Sequence, residues 1–152
     1  MLPTPTRYTL VAGAAEAEKE LNAFDKALLN AGVGNVNLLR VSSILPPGAK
    51  YSPDFQAPPG SLIPIAYGSL TSRKPGVLIA AAVAVGIGSE GFGVIMEFAG
   101  YCGKEEAEEK VREMVEEAFQ YRGIKLEELK VIGIEHKVVS CGCVFAGVPL
   151  WY

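Results

Sequence analysis

An α+β sandwich, two sheets each covered by one helix, is the architecture this sequence predicts. Two segments, residues 16–32 and 104–121, carry apolar side chains at a 3.6-residue period, while the other apolar runs are short and strand-like. Their order, β-α-β-β and then β-β-α-β-β, puts one helix in each of two βαββ-like halves, a weak pseudo-repeat without matching sequence. Two sheets packed back to back, with a helix on each outer side, would bury every apolar face in that order.

Each element has its own warrant. "RYTLVAG", Arg7 to Gly13, reads as a strand, and "EAEKELNAFDKALLNAG" follows with helical spacing at Leu21, Phe24, Leu28 and Ala31. Gly32 stands where a helix would stop. "VNLLRVSSIL" is the next strand, and "PPGAKYSPDFQAPPG" is a proline-rich loop too irregular for an element. "SLIPIAYGSLTS", "VLIAAAVAVGIG" and "FGVIMEFAGYC" supply three more strands. From Lys104 to Tyr121 the positions Ala107, Val111, Met114, Val115, Ala118 and Phe119 define a helix, with i,i+4 charge pairs on its other face. "LKVIGIEHKVV" and "CVFAGVPLW" close the chain as strands.

At 152 residues the chain is one domain, 1–152, which buries roughly two thirds of its unfolded surface without staples. Fourteen Lys and Arg against 17 Asp and Glu leave a net charge of −3, so no field attracts phosphates, and nucleic acid is not an expected partner. No leader-like start and no run of 18 apolar residues is present, so no membrane is expected. Three cysteines, an odd number, and no glycosylation sequon predict a reducing cytoplasm.

Several motifs have plain structural readings. "GIGSEG", Gly86 to Gly91, matches G-x-G-x-x-G, but a strand follows it where a dinucleotide site needs a helix N-terminus, so a glycine-rich hairpin is expected. Cys141 and Cys143 could complete a zinc site only with Cys102 and His136, and His136 lies in phase with Ile132, Ile134 and Val138 on a strand face. No metal is expected. The single histidine also lacks a G-x-S-x-G nucleophile to serve.

Two carboxylates are less ordinary. Asp25 falls between Leu21 and Leu29 inside the apolar stripe of the first helix, where it must meet a partner or ligand unless that position is an edge facing solvent. Glu97 is the one ionisable group in "VIMEFAG". If both faces of that strand are covered its pKa rises and it can donate a proton near neutral pH; if one face is wet it is an ordinary surface acid.

The adjacent serines Ser42 and Ser43 end the strand "VNLLRVSSIL" just before two prolines. A serine hydroxyl can attack the carbonyl before it, turning amide into ester. Elimination then cuts the chain and leaves dehydroalanine, which hydrolyses to a pyruvoyl group with loss of ammonia. That ketone can form a Schiff base with a substrate amine and withdraw electrons from its α-carbon.

The stretch "LNAFDKALLNAGVGNVNLLRVSSILPPGA", with "PIAYG", "GVIMEF" and the terminal "CVFAGVPLWY", resembles the pyruvoyl-dependent arginine decarboxylases, lyases that make agmatine from arginine. The likeness runs through nearly the whole chain in order. It implies a cut between Ser42 and Ser43, giving a β chain 1–42 and an α chain 43–152 that carries a covalent pyruvoyl derived from Ser43. It further implies Asp25, with Leu21 one turn earlier, as the guanidinium site, Asn37 as an aid to processing, Glu97 as proton donor and Ile44 as a pocket wall. A four-layer αββα sandwich and a homotrimer of cleaved protomers, with sites between neighbours, also follow from the resemblance. The loop 46–60 does not match residue by residue.

Two other classes compete. A self-processing N-terminal-nucleophile hydrolase also uses an αββα sandwich and a freed serine, but keeps its amine and so resists borohydride. A non-cleaving homologue would serve as a binding or assembly subunit.

Overall fold

A computed structural model describes residues 2–152. Along the chain lie β1 (Arg7–Tyr8), β2 (Val11–Glu16), α1 (Glu20–Ala31), β3 (Asn37–Arg40), β4 (Ile44–Leu45), β5 (Lys50–Tyr51), β6 (Leu62–Ser72), β7 (Leu78–Gly88), β8 (Gly93–Gly100), α2 (Lys104–Arg122), β9 (Leu126–Lys137) and β10 (Gly142–Trp151). One sheet has the order β3-β6-β10-β1-β5, with β2 also paired to β10, and the other has the order β4-β8-β7-β9. The mixed α+β sandwich is the architecture expected from the element order. No helix among the described residues is long and apolar enough to cross a membrane.

Three apolar clusters hold these parts together. Tyr8, Ile79, Val83, Val85, Ile95, Val144 and Val148 gather between the two sheets. Ala23, Ala27 and Leu28 of α1 meet Ile65, Cys143 and Phe145 of the larger sheet. Ala107, Val111, Val115 and Phe119 of α2 meet Ala80, Ala82 and Ala84 of β7. The strict alternation along β7 therefore assigns Ile79, Ala81, Val83 and Val85 to the sheet interface and Ala80, Ala82 and Ala84 to the helix. Each valine or isoleucine buried in this way contributes about 1.5–3 kcal/mol.

Small residues under each helix decide which helical face is buried. A methyl group at Gly13 of β2 would stand 2.3 Å from the Ala27 carbonyl oxygen, so α1 lies almost on the strand backbone. Only its alanine face can come that close. The outcome corrects the stripe read from the sequence: Leu21 is 77% exposed, and Leu29 and Asp25 are exposed with it. Against α2 the same device recurs, since methyl groups at Gly86 and Gly88 would meet Val115 and Phe119 at 2.5 Å.

Those two glycines belong to "GIGSEG", and the third, Gly91, has φ +92° in the turn that joins β7 to β8. The motif is a hairpin, as expected. Gly32, at φ 87°, ends α1 with its N–H directed at the Leu28 and Leu29 carbonyls. The stripe of α2 is buried where the period placed it, apart from the half-buried Met114.

Local boundaries differ in four places. The first strand is two, β1 and β2, and β2 runs on to Glu16, so α1 starts at Glu20. The loop 46–60 holds β5, which pairs in parallel with β1. The predicted strand 36–45 breaks at the serines, and its two ends join different sheets. Strand propensity and the apolar pattern are continuous through that break, so neither could reveal a change of sheet.

Candidate active site at the sheet-to-sheet crossing

The chain leaves the edge of one sheet and enters the edge of the other through Val41, Ser42 and Ser43. On one side the Val41 N–H donates to the Ile65 carbonyl at 3.0 Å, continuing the parallel ladder of β3 with β6. On the other the Ile95 N–H donates to the Ser43 carbonyl at 2.7 Å, starting the pairing of β4 with β8. Ser42 is exposed and Ser43 is half-buried. The peptide bond between them spans the gap.

A cavity of about 480 Å³ opens at this crossing, lined by Arg40, Ser42, Ser43, Ile95, Glu97 and Met114 among others. Glu97 stands opposite Val83 in the β7–β8 pairing, and Val83 faces the space between the sheets. The carboxylate shares that orientation. Burial pushes the Glu97 carboxyl above its ordinary range, while the Arg40 guanidinium works against that push. The covered-strand reading of Glu97 is thus the one the structure supports.

Gly68 of β6 sets how near the two sheets come here. A methyl group on Gly68 would lie 3.2 Å from the Phe98 carbonyl carbon and 3.3 Å from its nitrogen and oxygen. Bare backbone is needed for β8, with Glu97, to sit this close to the larger sheet.

The other predicted site residues are not gathered here within one chain. Asp25 and Leu21 occupy the exposed face of α1, which packs on the far side of the larger sheet. Ile44 follows Ser43 with 43% of its surface open, outside the cavity wall. Asn37 begins β3, its side-chain amide donating to the Gly60 carbonyl at 3.1 Å and its backbone N–H to Ser61 at 2.8 Å. A second cavity, of about 680 Å³ around Leu29, Gly34, Phe55 and Pro58, has no ionisable group in its wall. A third, of about 500 Å³, is lined by Arg7, Lys50 and Tyr51 and holds no carboxylate.

His136 is engaged elsewhere. Its Nε2 is 2.6 Å from Glu16 Oε2, and the Glu16 carboxylate also accepts the N–H groups of Val139, Ser140 and Cys141 at 3.0 Å each. Cys102, Cys141 and Cys143 are free thiols.

Known proteins share this chain's pattern. The family model described as pyruvoyl-dependent arginine decarboxylase matches residues 7–150. The chain belongs to the pyruvoyl-dependent arginine decarboxylase family. A protein of that name from Methanocaldococcus jannaschii is 50% identical over 150 residues, covering 97% of this chain and 91% of the relative. Another, from Pyrococcus abyssi, is 49% identical over 136 residues, covering 87% and 85%. A third, from Methanococcus maripaludis, is 45% identical over 150 residues, covering 97% and 92%. Membership in this pyruvoyl-dependent family makes the protein an enzyme and implies a covalent pyruvoyl group as its cofactor.

Two features of this decarboxylase fold escaped the sequence reading. Arg40 was not singled out in the sequence, yet its Nη2 donates to the Tyr67 carbonyl at 2.5 Å and its guanidinium carbon stands 4.1 Å from the centre of the Tyr67 ring. Gly68 was not singled out either. A glycine inside an apolar strand is itself a signal of close backbone approach, and it could have been taken as one.

Proposed function

We propose that the chain cuts itself between Ser42 and Ser43 into residues 1–42 and 43–152, and that the pyruvoyl group so formed decarboxylates L-arginine to agmatine and CO₂. The observation that carries this reading is the meeting in one cavity of Ser42, Ser43 and the half-buried Glu97, whose carboxyl burial pushes above its ordinary range. The names of the relatives supply the substrate.

For processing, Ser43 Oγ attacks the Ser42 carbonyl carbon, the amide bond breaks, and the Ser43 nitrogen takes up the hydroxyl proton. Loss of the Ser43 α-proton then expels Ser42 as a carboxylate. The remaining enamine tautomerises to an imine, water adds, and ammonia leaves a ketone. The surroundings suit this group. The Ser43 carbonyl is held by the Ile95 N–H, so the residue stays anchored after the bond before it is cut. Asn37 assists by fixing the register in which β3 arrives at Val41, through its bonds to Gly60 and Ser61.

When present, the ketone supplies an electron sink for the α-carbon of an amine-bearing substrate. Burial raises the Glu97 carboxyl and so favours its protonated form, and Glu97 gives a proton to the α-carbon after CO₂ departs. Asp25 offers the planar, two-oxygen partner that a guanidinium fits, with Leu21 beside it and Ile44 along the substrate chain.

Since Asp25 and Leu21 lie away from the cavity within one chain, the working form is a homotrimer in which a neighbour's α1 face closes each site. The exposed Leu21 and Leu29 on either side of Asp25 support that contact. On this reading each protomer is a four-layer αββα sandwich working in the cytoplasm, where its three thiols stay reduced.

Intact-mass measurement tests the first step. The expected species are residues 1–42 and a 43–152 chain one ammonia lighter than its serine form, which takes up hydride from borohydride. A single unmodified chain, with no release of CO₂ from arginine, would overturn the proposal.

A further inference from the structure

Along β3 the parallel ladder advances two residues per bond. The Asn37 N–H donates to the Ser61 carbonyl at 2.8 Å, and the Val41 N–H donates to Ile65 at 3.0 Å, in the register that sets Arg40 opposite Ile65. One further step would give the Ser43 N–H to the Tyr67 carbonyl. That bond is missing. The Tyr67 carbonyl is taken instead by Arg40 Nη2 at 2.5 Å, with the guanidinium stacked on the Tyr67 ring. No hydrogen bond is made by the Ser43 N–H among the described residues.

We infer that Arg40 is a positioning residue for self-cleavage: its guanidinium caps the β3–β6 ladder at Tyr67 and so keeps the Ser42–Ser43 amide out of the sheet. The inference rests on the cleavage proposed above. A ladder bond through the Ser43 N–H would hold the amide nitrogen flat in a regular strand, with Ser42 opposite Tyr67. Attack by Ser43 Oγ on the Ser42 carbonyl requires that amide to turn and pyramidalise, and its nitrogen must be free to accept a proton as it leaves. Arg40 satisfies the carbonyl that would otherwise capture it, through a charge-assisted bond stronger than the amide bond it replaces. The ring of Tyr67 fixes the guanidinium from the side. The chain can then turn toward Ile95, and Ser43 joins the other sheet through its carbonyl alone.

Two measurements test this separately from the function. In the uncleavable Ser43→Ala chain, the amide of residue 43 should exchange with deuterium near the rate of an open loop, and Arg40→Met in the same background should slow it about tenfold or more as the ladder bond forms. Equal exchange with and without Arg40 would overturn the inference whether or not the native chain is cut. In the native sequence, Arg40→Met should slow the appearance of the 43–152 fragment by about tenfold or more, while Arg40→Lys, which can still donate to Tyr67, should recover most of the rate. A wild-type chain that never cuts refutes the proposed function and leaves the exchange result to decide on Arg40. A wild-type chain that cuts no faster than Arg40→Met refutes the role of Arg40.

Discussion

Glu16 and His136, 120 positions apart, are joined by a contact of 2.6 Å that ties the end of β2 in one sheet to the end of β9 in the other. Gly142 makes room for it, since a methyl group there would lie 2.5 Å from Glu16 Oε2 and 2.7 Å from His136 Cδ2. Burial alone would raise the Glu16 carboxyl. The Ser140 N–H, the His136 ring and the N–H groups of Val139 and Cys141 outweigh burial and hold it at about 2, against an ordinary value of 4.5.

The sign of the pH effect follows from that depressed value. Ionised Glu16 stabilises the fold fully above about pH 4.5, and the contribution is lost as the pH falls toward 2. Glu16→Gln, measured by urea unfolding of the uncut Ser43→Ala chain, should cost about 1–3 kcal/mol at pH 7. The difference from the parent should shrink steadily below pH 4.5. A constant difference down to pH 2 would show that the carboxylate charge is irrelevant.

Glu97→Gln should leave cutting at Ser42–Ser43 intact and lower kcat for arginine by about 10²–10⁴-fold, the usual weight of a proton donor. Because burial raises the Glu97 carboxyl, the wild-type rate should fall on an alkaline limb lying above the ordinary carboxylate range. Arg40 opposes that rise, so in Arg40→Met, once cut, the limb should move to higher pH. Single-turnover rates against pH would read both effects.

Gly68→Val should force β6 and β8 apart at Phe98, costing about 1–3 kcal/mol in stability as overpacking does. Activity should suffer more than stability, because Glu97 rides on the displaced strand. Thermal melts beside kcat values for the same variant would show the split.

Asp25→Ala, on an exposed helix face, should change stability by no more than about 0.5 kcal/mol. It should raise KM for arginine about tenfold or more through the lost guanidinium contact. Leu21→Glu, beside it, should instead dissociate the oligomer. Sedimentation velocity would report monomers from this variant and trimers from Asp25→Ala.

The gross architecture was legible because helical and strand periods are local properties. The stripe of α2 and the glycine stop after Ala31 need nothing from elsewhere in the chain. The buried face of α1 was misread because the bulkiest apolar residues were taken as the core, whereas the close approach at Gly13 favours Ala23 and Ala27 and turns Leu21 outward. Ser42, Ser43 and Glu97 were singled out through their chemistry and the chain's resemblance to a family, and the fold brings them to one cavity. Arg40 was not, since its significance lies in which carbonyl it occupies, and only the register of β3 against β6 reveals that.

The change of sheet between Val41 and Ser43 has a consequence for how the molecule comes apart. A cut at Ser42–Ser43 would place β1, β2, α1 and β3 on one polypeptide and every partner strand in the ladders β1–β10, β2–β10, β3–β6 and β1–β5 on the other. The break would release neither piece, because those ladders and the α1 cluster hold both. Once unfolded, however, the two chains would have to find each other by diffusion. Refolding would then be second order and dependent on protein concentration, whereas the uncut precursor folds within a single molecule. Folding would therefore have to precede cutting, and the peptide bond would have served as a tether that the finished enzyme no longer carries.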